Sequence, residues 1–243
     1  RSIGDPAIVA HVDQLVAVFL QVGAIDGRIH QMVAHSEIAS GSIVGLVPVM
    51  QMSNGVTVHG SGRDLHRICI NGRLHSFHAE LAEAAAAAKK NIILYKPMAL
   101  TMEECEEMMR VEKETGRKLM IGQVCRCTPA FALTKKLISE GAIGELFFVE
   151  SEYAHDYAVA RGANDWRVTP ERHGIIGGGC HAVDLLRWIA GDPTEVYALS
   201  NHKCLTEWPV DDCSIAIMKF PNEIMSKVFV STGCKRDYTM RTL

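Results

Sequence analysis

No stretch of this 243-residue chain is apolar for long enough to cross a lipid bilayer as a helix. The longest candidate, Leu15–Leu20, is broken at Gln21 and suits a buried strand. No secretory leader pattern opens the chain, so a cytoplasmic location is expected. The first residue is Arg1 rather than Met, which leaves the true start open. An excess of one charge sign is also lacking. Lys and Arg number 25 against 28 Asp and Glu, for a formal net charge of −3. That balance gives no electrostatic reason to expect nucleic acid or an anionic membrane as partner. The eight cysteines match no zinc spacing, and only Cys125 and Cys127 stand close together. Reduced thiols are the expectation. His75 and His78 could share a helical face, but no third ligand is obvious nearby, so no metal is expected.

What is present is ordinary globular material, 48% hydrophobic and 22% charged. It suffices for one large domain or two modest ones. The first half alternates strand and helix. Strands are expected at Leu15–Leu20, Ser42–Met50, Ile68–Ile70, Ile92–Leu94 and Lys118–Ile121. Helices are expected from about Arg28 to His35, over the alanine run Ala79–Lys90, and from Thr101 to Thr115. Thr101 and Glu104 form a capping-box pattern, and Gly116 supplies a stop. This alternation predicts a parallel sheet with helices on both faces. The second half starts with a helix at Pro129–Ser139 and a strand at Leu146–Tyr153. A helix follows at His181–Ala190, then three strands at Glu195–Leu199, Ser214–Phe220 and Ile224–Ser231. Pro221-Asn222 marks a hairpin turn between the last two. Strands without intervening helices predict an antiparallel or mixed sheet. The expected boundary lies near Gly122–Thr128, giving domains 1–122 and 123–243.

Three places could carry chemistry. Gly23, Ala24, Ile25 and Gly27 stand between a strand and a helix, where small residues let backbone N–H groups approach a pyrophosphate. The spacing is not G-x-G-x-x-G, and an ordinary glycine turn explains it as well. No acidic residue occurs from Ile38 to Arg63, so no carboxylate for an adenosine ribose can be named there. Lys96 and Pro97 are delivered to the carboxyl end of the Ile92–Leu94 strand, where ligands of α/β sheets bind. A lysine that merely snorkels out of a strand end is the competing explanation. Finally, Gly177, Gly178 and Gly179 lead to His181 at or near the start of a helix, with Asp184 one turn on. A helix N-terminus favours the neutral imidazole that a general base needs. Capping of the helix start is the alternative.

Tyr95-Lys96-Pro97, Gly141-Ala-Ile-Gly144, Arg126 and His181-Ala-Val-Asp184 together give the chain its resemblance to the Gfo/Idh/MocA oxidoreductases, which include glucose–fructose oxidoreductase and inositol 2-dehydrogenase. The resemblance is close from about Ala79 onward. It implies an N-terminal Rossmann-type parallel sheet, then an α/β domain with an open, largely antiparallel sheet that serves substrate binding and oligomerisation. It implies NAD or NADP as cofactor, a secondary alcohol of a sugar or cyclitol as substrate, and a homo-oligomer. By the same resemblance Lys96 and His181 are the catalytic pair. Gly23, Ala24, Ile25, Gly27, Asn71, His75, Lys96 and Pro97 would serve the cofactor. Arg126, Tyr153, Trp166, Arg167 and Asp184 would serve the substrate, within a Tyr153–Arg167 segment that lines the pocket. This chain departs from the pattern at Tyr95, where the family has Glu, at Gly177, where it often has Asp, and at Val124, where it has Asn. The chain ends at Leu243, inside the sheet the resemblance implies, so either a fragment or a sheet completed otherwise is expected. The alternatives are a non-catalytic relative that has lost cofactor binding, and an NAD-using glycosidase of the same fold.

Overall fold

A computed structural model describes residues 49–51, 56–60, 67–72, 78–158, 169–170, 173–236, 238 and 240–242, with backbone alone for 49–72 and 240–242. The expected strand at 15–20, the glycine turn at 23–27, the helix after it, His75, Trp166 and Arg167 lie outside the described residues. The described residues divide into two compact units between Gly122 and Gln123.

In the first unit the strands are β1 (Val49–Gln51), β2 (Val56–Gly60), β3 (Arg67–Gly72), β4 (Asn91–Tyr95) and β5 (Leu119–Gly122), side by side in that order. Helix α1 (His78–Ala87) joins β3 to β4, and α2 (Met102–Thr115) joins β4 to β5. Both connections are crossovers, and β3, β4 and β5 are parallel, with Ile68 opposite Ile92 and Leu94 opposite Ile121. β1, β2 and β3 pair antiparallel. The strand β2 was not expected. Its alternation Val56-Thr57-Val58 is visible in hindsight, and the four residues between β1 and β2 are too few for a helical crossover, so the pair must be antiparallel.

Alanine serves α1 twice, through propensity and through close packing: Ala82, Ala85 and Ala86 are buried with Ile92, Leu94, Met108 and Ile121. The capping box of α2 forms as the sequence predicts. Glu104 N–H donates to Thr101 Oγ1 at 3.2 Å, Glu104 Oε2 accepts from Thr101 N–H at 3.2 Å, and Gly116 closes the helix in the left-handed region at φ 64°. Burial pushes the Cys105 thiol of α2 up to about 12.

In the second unit a short 3₁₀ turn (Val124–Cys127) leads to α3 (Pro129–Ser139), with its proline in the first turn as expected. Then come β6 (Phe148–Ala154), a π-helical turn (Ile175–Gly179), α4 (Cys180–Ala190), β7 (Glu195–Asn201), β8 (Cys213–Lys219), β9 (Met225–Ser231) and β10 (Met240–Thr242). The sheet order is β10-β6-β9-β8-β7. β6 and β9 are parallel, and every other neighbouring pair is antiparallel. Helix α4 packs on one face, and its Ala182, Val183, Leu185 and Leu186 are fully buried. β8 alternates accordingly, with Ser214, Ala216 and Met218 inward and Ile215 and Ile217 outward. The β8–β9 turn falls at Pro221–Glu223, where Asn222 and Glu223 adopt φ 62°. Among the described residues no helix is long and apolar enough to cross a membrane.

Candidate active site

In the first unit the site is a short loop held from two sides. β4 ends at Tyr95, and Lys96 follows at the carboxyl edge of the parallel strands. Asn71 reaches the same edge, one position beyond the Ile70–Leu94 pair. The Lys96–Pro97 peptide bond is cis. Beneath it, His78 Nδ1 donates to the Pro97 carbonyl at 2.9 Å, an assignment forced by a carbonyl that can only accept. His78 is completely buried. Burial pushes its proton affinity below the ordinary histidine value, against opposing contributions from the Pro97 and Met98 backbone and from Glu104. From the other side, Leu100 N–H donates to Glu104 Oε2 at 3.0 Å, so the capping box of α2 also fixes the end of this loop. Met98 and Ala99 are buried between the two anchors, while Tyr95 is 46% exposed. His78 as an anchor was not foreseen. Its partner stands 19 residues away, and no local signal announces such a contact.

In the second unit one face of α4 carries His181, Asp184 and Trp188, spaced one helical turn apart. Asp184 is 0% exposed and Arg126 is 8% exposed. They form a two-pronged ion pair, Nε to Oδ2 at 2.8 Å and Nη2 to Oδ1 at 2.7 Å. The Arg126 guanidinium lies 5.7 Å from the Trp188 ring centre. The structure thus pairs two residues that the resemblance implies as substrate contacts, and ties the 3₁₀ turn to the helix bearing His181. Tyr153 stands beside them, its ring centre 6.4 Å from that of His181.

His181 is the second residue of α4, near its start as expected, but that start is not a free helix end. The π-helical turn runs straight into α4, and Gly174, Gly179 and Cys180 all have right-handed helical backbone. Gly177 N–H donates to the His173 carbonyl at 2.9 Å, so the turn before His181 is already closed. The positive end of the helix therefore lies upstream of the imidazole, outside the turn where that field acts. The glycines serve close packing instead. A Cβ on Gly178 would lie 2.2 Å from Tyr153 Cε1, and one on Gly179 would lie 2.7 Å from Val230 Cγ2. Among the described residues no three side chains are grouped to hold a metal ion.

Two family models match the chain. Residues 55–123 match the NAD-binding Rossmann fold of the GFO/IDH/MocA oxidoreductase family, and residues 131–243 match its C-terminal domain. The chain belongs to this family. A levoglucosan dehydrogenase of Pseudarthrobacter phenanthrenivorans is 36% identical over 143 residues, which cover 56% of this chain and 36% of that protein. Inositol 2-dehydrogenase 2 of Saccharopolyspora erythraea is 27% identical over 163 residues, covering 64% of this chain and 45% of that protein. Among solved structures, a levoglucosan dehydrogenase in complex with NADH superposes with a TM-score of 0.67 at 28% identity, over 75% of this chain and 52% of that one. The chain therefore spans about a third to a half of the length of these relatives. Lys96 falls within the segment that matches the Rossmann half of the GFO/IDH/MocA family, and His181 within the segment that matches its C-terminal half.

Proposed function

We propose that this chain is a nicotinamide-dependent oxidoreductase that acts on a secondary alcohol of a sugar or cyclitol. Residues 1–122 form the cofactor domain and 123–243 the substrate domain, as the two matched segments support. The observation that carries the proposal is a lysine held at the carboxyl edge of parallel strands in the first, together with a buried helix histidine in the second. The loop after Lys96 is anchored by His78 and Glu104, and His181 lies beside the Tyr153 ring. NAD or NADP, when bound, supplies the hydride acceptor. The donors at the β3–β4 edge, Asn71 and Lys96, suit the polar end of such a group. Gly23, Ala24, Ile25, Gly27, His75 and Pro97 complete the proposed cofactor set.

His181 takes the proton from the substrate hydroxyl during oxidation and returns it during reduction. Lys96 is the other catalytic residue that the resemblance implies, and a positive charge favours alkoxide character on a reacting oxygen. Tyr153, Trp166 and Arg167 wall the substrate. Asp184 on the His181 helix and Arg126, paired with it from the 3₁₀ turn, border the substrate. The outer sheet face, with Tyr197, Leu199, Ile215 and Ile217 exposed, is the proposed contact between copies in a homo-oligomer, which a solution mass would check.

The deciding experiment titrates the protein with NADH and NADPH and follows nucleotide fluorescence, then seeks turnover of sugars and cyclitols. Saturable binding and reduced nucleotide released on turnover are expected. Reduced nucleotide retained through turnover would favour glycoside cleavage instead. A non-catalytic relative is the second possibility. It is favoured by Tyr95, exposed at the position where the family carries Glu, and it predicts no saturable binding of either nucleotide.

A further inference from the structure

Next to His181 the second unit contains an aromatic assembly built around Tyr157. This residue is 5% exposed. Its backbone N–H donates to the Thr232 carbonyl at 2.8 Å, which pins it just beyond the end of β6. Its ring lies 6.0 Å from the Trp208 ring and edge-on to His155 at 5.3 Å, and Leu205 completes the cluster. Among the described residues the Tyr157 hydroxyl has one hydrogen-bond partner, the Tyr153 hydroxyl at 3.1 Å.

The direction of that bond follows from burial. A buried O–H that fails to donate loses more than one hydrogen bond contributes. Tyr157 has no other acceptor there, so it donates and the Tyr153 oxygen accepts. The proton of Tyr153 is then directed away from Tyr157. Accepting a bond also makes the Tyr153 O–H a stronger donor. The Tyr153 ring rests on the bare backbone of Gly178, where any Cβ would collide with it. Gly178 is one turn before His181 on the same helical segment, so the ring is held alongside the imidazole.

We propose that Tyr157 is a positioning residue: by donating to the Tyr153 oxygen it sets the Tyr153 hydroxyl as a hydrogen-bond donor to an oxygen of the sugar or cyclitol held at His181. The proposal rests on the oxidoreductase function above. It adds a requirement on the substrate, an acceptor oxygen beside the hydroxyl that reacts.

The test uses the whole chain as wild type, Tyr157→Phe, Tyr153→Phe and the double variant. The probes are myo-inositol, D-xylose and levoglucosan, with NAD or NADP. If the wild type neither binds nucleotide saturably nor turns over any probe, the oxidoreductase function fails and this proposal falls with it. Given turnover, Tyr157→Phe should raise KM for the probe about three- to tenfold, while kcat and nucleotide affinity stay near wild type. Tyr153→Phe should raise KM at least as much, and the double variant no further. An unchanged KM in Tyr157→Phe, or effects that multiply in the double variant, overturns the proposal while leaving the function standing. Tyr153→Phe decides independently of how well Tyr157→Phe folds, because an unchanged KM there also overturns it.

Discussion

The two units bury different things. The first closes its core with small and aliphatic side chains, Ala82, Ala85, Ala86, Ile92, Leu94 and Ile121 among them. The second buries Val183, Leu185 and Leu186 on α4, but also His181, Asp184 and Arg187 on the same helix. Desolvating a charge is costly unless a partner replaces water. Asp184 has its partner in Arg126 across 58 residues, and buried Arg187 has one in Asp192. A helix that needs such pairings is poorly explained by stability alone. In the first unit, by contrast, the Lys96 loop at the sheet edge carries the interest while the core beneath it stays plain. One unit presents its chemistry at an edge, and the other embeds it in the helix–sheet interface.

The largest expected effects test whether that contrast concerns function. Lys96→Ala and His181→Ala should each lower turnover by about 10²- to 10⁴-fold, the range for a removed proton-transfer or charge-stabilising group. Circular dichroism should show both variants folded. Near-normal rates in both would reduce the buried polar face of α4 to an oddity of packing.

Next in size is Asp184→Ala. It leaves the Arg126 guanidinium buried beside Trp188 without its carboxylate, at an expected cost of about 3–5 kcal/mol. The measurement can be confined to the second unit, because all three tryptophans (Trp166, Trp188 and Trp208) lie after Gly122. Urea unfolding followed by tryptophan fluorescence should shift strongly, while hydrogen exchange in α1 and α2 should not. A shift below about 1 kcal/mol would mean that Arg126 finds water or another acceptor, as an exposed pair would. Gly178→Ala should cost less, about 1–3 kcal/mol, as Tyr153 is forced off its seat. An unshifted unfolding midpoint would show that the ring moves freely.

The same contrast explains how much the sequence disclosed. Features written in neighbouring residues were legible: the Thr101–Glu104 capping box, Pro129 in the first turn of α3 and the turn at Pro221-Asn222. Lys96 at a strand end was legible for the same reason. The pairing of Arg126 with Asp184, the His78 contact to Pro97 and the Tyr153–Tyr157 bond to a strand-end neighbour were not. The first two join distant residues, and the third depends on how the chain turns after β6. The glycine run shows the limit from the other side. Three glycines lead to His181 in the sequence, and Gly178 and Gly179 are small because Tyr153 and Val230 press against them. Sequence shows that space was left at such positions, and only packing shows what fills it.

The smallest effect at neutral pH is expected from His78, the fully buried anchor of the Lys96 loop in the first unit. Its folded-state proton affinity is lowered by burial from the ordinary 6.5, so the unfolded chain binds its proton more readily. The sign follows. Its contribution is fully present above pH 6.5 and is lost as pH falls below that value, because protonation must then be resisted in a dry site. Glu104 is the nearby carboxylate, and it opposes the shift without reversing it. His78→Asn keeps an amide donor for the Pro97 carbonyl but has nothing to protonate. Hydrogen exchange of α1 amides should show the wild type losing protection between pH 7.5 and 5.5, and the variant losing less, with little difference between them at the upper value. Parallel loss in both proteins would place the acid sensitivity elsewhere and leave His78 as a neutral strut under the Lys96 loop.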